Sequence, residues 1–288
     1  MEIILISLSF LLLMAVGVPI AVSLGVAAVA TIYFFDLGIS MLGINFTTGI
    51  ASFPLLAIPF FVLAGVILEK AGLAATIARF FELLVGQAIG GLAMVAVFTC
   101  MFWGALSGSG PATTAAVGLI LLAPMLKHGY DKHFAGATIA NASDLSIIIP
   151  PSIAFIIYGN ITSVSVSALF LAGVIPGLIT GIGTVLVAYL ISRKRGYKGL
   201  NRRGTSKEIL IALKDSIWAI LTPVIILGGI YAGIFTPTEA AVVAVFYSLF
   251  IASVIYRTIT WRDFIHMLVD AAVTSSVIMF IVVFAGIF

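Results

Sequence analysis

The sequence has very little charge: Asp, Glu, Lys and Arg make up 9% of its 288 residues, whereas 62% are hydrophobic. A soluble domain usually carries about 25% charged residues, because these cover its water-facing surface. The scarcity of charge disfavours a soluble enzyme, a nucleic-acid-binding protein and a disordered chain. The composition therefore predicts an integral membrane protein.

Cysteine is nearly absent, since Cys100 is the only one. A single cysteine cannot form an internal disulfide bond or a cysteine-based metal site, so we expect a small buried hydrophobic side chain. The sequence has no Walker A motif, no glycine-rich dinucleotide motif, no His-Glu-x-x-His and no Ser-His-Asp set. We therefore expect no enzyme activity and no cofactor, and any transport must draw its energy from an ion gradient or a partner.

The basic residues are concentrated in one place. Seven of the fourteen Lys and Arg residues lie within residues 193–207, which contain no acidic residue. Basic loops between apolar segments remain in the cytoplasm, so this loop predicts the orientation of the chain and not a nucleic-acid partner. A site for membrane lipid headgroups is the weaker alternative.

Several segments have the length and apolar character of membrane-spanning helices, which need about 20 residues. They are 53–68 with a bent start, 166–192, 216–234, 238–256 and 264–288. The last of them reaches the final residue, Phe288, inside an apolar run, and we therefore expect a fragment or a truncated reading frame.

Two other segments near the start have a different character. Residues 3–35 contain Gly17-Val18-Pro19. Because proline bends or breaks a helix, this segment is either one kinked helix or two short ones. Residues 70–86 carry charges among apolar positions at helical spacing, which predicts an amphipathic helix at the membrane interface.

Residues 83–126 are free of charge but are interrupted by 107–114, Ser-Gly-Ser-Gly-Pro-Ala-Thr-Thr. A second arm over 115–126 would be about 18 Å long, too short for a hydrocarbon core of about 30 Å. The flanks are both basic, with Arg79 before and Lys127 after, so both ends are predicted to be cytoplasmic. We expect a re-entrant hairpin with a buried polar tip. Two packed helices with a small-residue crossing are the alternative.

Residues 134–159 are also long enough to span, but polar residues and Pro150-Pro151 interrupt them. We predict a helix to about Asn141, an unwound link and a second helix from Pro151. The first half-helix would direct carbonyl groups at the break and the second would direct amide groups at it. This arrangement suits a cation beside a carboxylate. Asp144 is the acid in this region, and it is either functional or a helix cap.

Four stretches carry a resemblance to a known family. They are 52–61, 104–118, 149–152 with Tyr158-Gly159, and 228–241. In this order and spacing they resemble the large membrane subunit of the TRAP (tripartite ATP-independent periplasmic) transporters.

The resemblance implies a multi-pass protein of the bacterial inner membrane that imports a small organic acid, such as a dicarboxylate or a sugar acid, with sodium as the coupling ion. It implies two partners: a small four-helix membrane subunit, and a periplasmic substrate-binding protein that delivers the acid. The implied fold is all-α, with inverted repeats that work as an elevator. A passive channel and a non-transporting scaffold that binds the small subunit are the alternatives.

The resemblance also implies a division of the chain. Residues 1–87 would form scaffold helices and an interfacial arm helix, and residues 88–160 the transport-domain hairpin and broken helix. Residues 161–215 would form a span and the basic cytoplasmic loop, and residues 216–288 the start of a second repeat that stays incomplete.

Finally, the resemblance implies site residues at the hairpin tip and the link. Sodium, the only metal expected, would bind Ser107, Ser109, Ser146, Ile149 and Pro150, the last two through backbone carbonyls. Substrate would bind Ser109, Gly110, Thr113, Asn141, Asp144 and Ser152. The tip departs from the usual Gly-Ser-Ser of the family, because it reads Gly108-Ser109-Gly110.

Overall fold

The computed structural model describes residues 1–38, 40–200 and 204–288, and these ranges contain helices but no β-strand. Arg202 and Arg203 of the predicted basic loop lie outside the described residues. In chain order the helices are α1 (Glu2–Ala15), α2 (Ile20–Phe34), α3 (Ser40–Ile50), α4 (Ala57–Lys70), α5 (Leu73–Val85), α6 (Gly91–Ser107), α7 (Gly110–Lys127), α8 (Lys132–Ser143), α9 (Leu145–Ile148), α10 (Ile153–Thr162), α11 (Val166–Arg195), α12 (Ser206–Tyr231), α13 (Pro237–Phe250) and α14 (Trp261–Ile287). A 3₁₀ turn, Phe53–Leu56, precedes α4, and a π-helical turn, Ile251–Ile255, follows α13.

Six helices in the described ranges are long and apolar enough to cross a membrane, or seven if the bent pair Lys132–Ile148 and Ile153–Thr162 is one span. The six are Phe53–Lys70, Gly110–Lys127, Val166–Arg195, Ser206–Tyr231, Pro237–Ile255 and Trp261–Ile287. The prediction of an all-α, multi-pass membrane protein is confirmed.

The first apolar segment forms two short helices that pack against each other, which decides between the two alternatives for residues 3–35. Gly17 has a φ of +89°, a conformation that glycine adopts without steric cost. Pro19 follows as the N-cap of α2. The chain therefore turns back between the two helices instead of bending slightly.

Helix α12 starts at Ser206, ten residues before the predicted start of that span. The N–H of Thr205 donates to the Glu208 carboxylate at 2.9 Å, and the N–H of Glu208 donates to the Thr205 hydroxyl at 3.3 Å. This reciprocal capping box satisfies two of the free amides at a helix start. The same pattern starts α13, where Thr236 and Glu239 form the capping box.

The predicted amphipathic segment is α5. It buries Leu73, Ala74 and Ile77 on one side, while Arg79 and Glu82 keep exposed or partly exposed positions on the other. The buried side packs on α6 and α12. The hydrophobic core continues from there into α4, which packs along α13 and α14.

Tyr197, just after α11, contacts the residues before α6 and after α7. Its ring stacks on Tyr130 with the ring centroids 4.4 Å apart. Its hydroxyl accepts the N–H of Asp131 at 3.1 Å, and its carbonyl accepts the N–H of Gly90 at 3.2 Å. The base of the α6–α7 pair is therefore fixed to the end of α11.

Asp131 adds a charged contact at the same place. Its carboxylate accepts the N–H of Phe134 at 3.0 Å and so caps α8. This hydrogen bond is the main reason that the pKa of Asp131 lies below its usual value, and Arg195, 3.6 Å away, contributes to the shift.

Close contact between α6 and α9 depends on Gly104. A Cβ atom at this position would lie 2.5 Å from the Cβ atom of Ser146 and 2.6 Å from its Cα atom, so the helices would have to separate. We expect Gly104→Ala to lower the free energy of unfolding by about 1–3 kcal/mol. Thermal unfolding of the purified protein in detergent measures the change.

Gly118→Ala is the matched control, because Gly118 lies on α7 with nothing within 4 Å of the added methyl group. Alanine has the higher helix propensity, so this variant should be unchanged or more stable by up to about 1 kcal/mol. Equal stability of the two variants would contradict the packing argument.

Candidate functional site

The tip of the α6–α7 hairpin is a turn of two residues. Helix α6 ends at Ser107, Gly108 has a φ of +61°, and Ser109 is extended before α7 begins at Gly110. Pro111 lies at the second position of α7, where a missing amide donor costs nothing. The helical hairpin itself is as predicted.

The expected length of its second arm was wrong. Helix α7 covers Gly110–Lys127, 18 residues instead of 12, and it is long enough to span. The irregular tip ends at Ser109 and does not include residues 110–114, because α7 begins at Gly110 and Pro111 lies in its first turn, where proline is favoured. The prediction that the hairpin is re-entrant now depends on the basic residues at both of its ends.

The break in the second feature lies later than predicted and is shorter. The helix does not stop at Asn141, because Asp144 keeps helical backbone angles (φ −64°, ψ −22°) and α9 continues to Ile148. Extended backbone starts at Ile149 (φ −80°, ψ 120°), because the following proline disfavours helical geometry. The next helix starts at Ile153, not at Pro151. The two parts meet at an angle of 43°.

Hydroxyl groups explain why the polar run 143–146 stays helical. Ser143 donates to the Ile139 carbonyl at 2.8 Å, and Ser146 donates to the Ser143 carbonyl at 2.6 Å. These bonds satisfy the side chains within the helix instead of drawing the backbone out of it. Beyond the break, Ser152 caps α10 by accepting the N–H of Phe155 at 3.4 Å.

The structure brings the hairpin tip into direct contact with the link 149–152. The N–H of Ile153 donates to the carbonyl of Gly108 at 3.4 Å. A Cβ atom on Gly108 would lie 2.9 Å from the carbonyl oxygen of Pro151. The backbone of the tip therefore lies against the backbone of the link.

The hydroxyl groups at the tip are buried. Ser107 is 5% exposed and Thr113 is fully buried, and their hydroxyl oxygens lie 3.0 Å apart. The N–H of Ser109 donates to the Ser107 hydroxyl at 3.4 Å. Ser146 is also fully buried and contacts α6 at Gly104. This part of the chain gathers uncharged oxygen atoms, the ligands that hard cations such as Na⁺ prefer.

Most of the predicted site residues therefore lie together. Those at the tip, the link or directly beside them are Ser107, Ser109, Gly110, Thr113, Ser146, Ile149, Pro150 and Ser152. Asn141 on α8 and Asp144 directly after it are both exposed. The Asp144 side chain caps neither α8 nor α9, so the alternative of a helix cap is wrong. Its role as a ligand stays a prediction.

Sequence reasoning missed the groups that face the tip from distant helices. A cavity of about 170 Å³, here called the tip cavity, lies beside the turn. It is lined by Ser107, Ser109 and Trp103 of the hairpin, Ile153 of α10, Glu69 of α4, and Thr274 of α14, among others. Gly65, one turn before Glu69, was the available signal, because small residues often mark close helix contacts. A Cβ atom added at Gly65 would lie 3.4 Å from the Cα atom of Ser107.

Apolar spans, a helical hairpin with a buried polar tip, and a discontinuous helix that meets this tip are features typical of multi-pass membrane transporters. Comparison with known proteins agrees. The family model described as "Tripartite ATP-independent periplasmic transporter, DctM component" matches residues 7–288. The chain belongs to this family, and the resemblance drawn from its motifs is confirmed.

Individual relatives are similar over most of the chain. It is 42% identical over 280 residues (97% of this chain, 44% of the relative) to an isethionate TRAP transporter permease protein, DctMQ, of Oleidesulfovibrio alaskensis. It is 46% identical over 247 residues (85% and 54%) to a C4-dicarboxylate TRAP transporter large permease protein of Vibrio cholerae. A sialic acid TRAP transporter large permease protein of Vibrio cholerae is 37% identical over 281 residues (96% and 65%). The chain thus spans about half the length of the first two relatives, and all three are named as permeases, not as enzymes.

The contact between tip and link predicts the effect of a methyl group at Gly108. Gly108→Ala adds a clash with the Pro151 carbonyl to the cost of a positive φ, which is roughly 1–2 kcal/mol for a residue other than glycine. We expect this variant to lose more thermal stability in detergent than Gly129→Ala.

Gly129→Ala is the control, because Gly129 has a φ of +81° but nothing within 4 Å of its Cβ position. This variant measures the cost of the positive φ without the clash. The same loss of stability in both variants would show that the tip does not press against the link.

Proposed function

We propose that the chain forms part of a sodium-coupled secondary transporter that imports a small organic acid across the bacterial inner membrane. The observation that carries the proposal is the contact of the hairpin tip with the broken helix, which places buried hydroxyl and carbonyl oxygens next to two helix ends. The family of the chain supports the direction and the class of the transporter.

Sodium is proposed as the coupling ion because the tip offers oxygen ligands without a fixed positive charge. Ser107 and Ser146 supply hydroxyl oxygens, and Ile149 and Pro150 supply carbonyl oxygens beyond the end of α9. The carbonyl end of a helix carries partial negative charge, which stabilises a cation. These groups are shielded from bulk water by the surrounding apolar residues, which strengthens their attraction for an ion.

The substrate is proposed to be an organic anion. The first amides of α10 start at Ile153 beside the tip, and the amide end of a helix attracts negative groups. Relatives are named for C4-dicarboxylates, sialic acid and isethionate, all of which are anions at neutral pH. A carboxylate or sulfonate placed between Ser109 and Ser152 would lie next to the sodium ion, so each would stabilise the other.

Two partners are proposed. A small four-helix membrane subunit would pack against the apolar surface of the chain, and a periplasmic binding protein would deliver the acid. The name DctMQ of one relative supports the first partner. The family description, with its words "tripartite" and "periplasmic", supports the second.

For the movement, we propose an elevator in which the hairpin and the broken helix travel together. Two contacts support this unit: the close approach of Gly104 to Ser146, and the hydrogen bond from Ile153 to Gly108. Helix α4, in contrast, packs mainly along α13 and α14. The surface between these two groups of helices is the proposed sliding surface.

The test is uptake of radiolabelled organic acids by the permease in proteoliposomes, together with its small subunit and binding protein. We expect Ser109→Leu to reduce sodium-driven uptake by at least about tenfold, because a large side chain overfills the tip. Ser253→Leu is the control, since Ser253 lies on an exposed part of the π-helical turn and should leave uptake unchanged.

The alternatives give different results in the same vesicles. Flux that needs neither sodium nor the binding protein would overturn the proposal in favour of a passive channel. Retention of the small subunit without any uptake would overturn it in favour of a scaffold.

A further inference from the structure

The tip cavity contains an acidic group that the proposed sodium site does not use. Glu69 is the residue before the end of α4, four residues after Gly65, and residues four apart lie on the same side of a helix. A Cβ atom on Gly65 would lie 3.4 Å from the Cα atom of Ser107, so this side of α4 faces the tip, and Glu69 lines the cavity. Glu69 therefore lies about one helical turn further along α4 than the point of closest approach to Ser107.

Glu69 forms no ion pair within the part of the chain that the structure describes. The ion pair found there joins Arg195 and Asp131. Lys70, its neighbour in sequence, is the cation that acts on Glu69 through space. Glu69 is exposed, whereas Trp103 and Ser107 are buried. The cavity therefore has an exposed end at the Glu69 carboxylate and a buried end at the Ser107 hydroxyl of the tip. An organic anion would be repelled by Glu69, and a cation would be attracted.

The tip cavity has room for a cation together with water. Trp103, which lines the cavity, is 1% exposed and forms part of its closed end. A single water molecule needs at least about 10–15 Å³ of such space, so about 170 Å³ accepts an ion with several waters.

The directions of the helices indicate which face of the molecule the cavity is nearer to. Phe53, Val166 and Pro237, which begin the segments of α4, α11 and α13, line one common surface cleft. These helices therefore start at the same face of the molecule. Because α11 ends at the basic loop, the end of α4 with Glu69 lies toward that face. The basic loop is the predicted cytoplasmic side.

We propose that the tip cavity is a second cation site, which holds a hydrated sodium ion between the tip and the cytoplasm with Glu69 as its counter-charge. Water fills the rest of the ion's shell, and Glu69 balances the ionic charge. The site rests on the proposed function, because it serves as the release route for the coupling ion. Glu69 and Thr274, which belong to α4 and α14, distinguish it from the proposed site at the tip and the link, and Ser107 and Ser109 line both.

Trp103 itself provides the readout. The chain has three tryptophans, and the double variant Trp218→Phe/Trp261→Phe leaves Trp103 as the only one. The purified protein is titrated with sodium chloride at constant ionic strength, with choline as the replacement cation. We expect a saturable change in Trp103 emission. Glu69→Gln should shift its midpoint to higher sodium by about fivefold, the effect of losing one partly exposed charge pair.

Glu82→Gln is the matched control, since it removes the same charge from an exposed position on α5, and it should leave the titration unchanged. Glu69→Asp keeps the charge and should restore most of the sodium response. An emission that does not respond to sodium, or a response that is the same in Glu69→Gln, would overturn the second site.

Uptake separates failure of this site from failure of the proposed function. Ser146→Ala tests the first site, because Ser146 does not line the cavity, and Glu69→Gln tests the cavity. If Ser146→Ala changes the sodium dependence of uptake but Glu69→Gln does not, the second site is overturned and the proposed function stands. If uptake by the unmodified permease needs no sodium, the proposed function itself fails.

Discussion

The fold depends on one constraint: a backbone turn inside an apolar chain must find partners for its polar groups within the protein. The turn at Gly108 meets this constraint against the link 149–152, where its carbonyl accepts the N–H of Ile153. In hydrocarbon, such a group left unpaired would cost several kcal/mol. The hairpin tip and the broken helix each interrupt regular helical hydrogen bonding. The bond from the Ile153 N–H to the Gly108 carbonyl gives one group of each a partner. Gly104 permits the approach that this exchange requires.

Much of this arrangement could be predicted from the sequence. Charge-free runs locate the spans, because the hydrocarbon tolerates little else, and the row of Ser and Gly at 107–110 marks the tip. Local boundaries were harder to place. Pro111 reads as a helix breaker in sequence but starts a helix in the structure. The polar run at Ser143 and Ser146 reads as a break, yet both hydroxyls are satisfied by helical carbonyls. Proline and serine can either interrupt a helix or lie within one, and the surrounding backbone contacts determine which of the two occurs.

The groups around the tip show a second limit of sequence reasoning. Asp144 is the acid nearest to the break in sequence and was therefore predicted as a ligand, although it lies on the exposed side of the helix. Glu69 and Thr274 line the tip cavity from helices far apart in the chain. Polarity alone does not give the face of a helix, and contacts between distant helices leave no local pattern. A small residue one turn away, such as Gly65, is the kind of signal that points to a close approach.

The contacts of Tyr197 give the hairpin a mechanical neighbour. Since Gly90, at the start of α6, and Asp131, after α7, both donate to this residue, the base of the hairpin cannot slide along α11 without losing both bonds. Helix α11 has 30 residues and is about 45 Å long. These two bonds therefore join the hairpin to one end of a helix that is long enough to reach both faces of a membrane. The base of the hairpin and the start of the basic loop thus lie at the same end of α11.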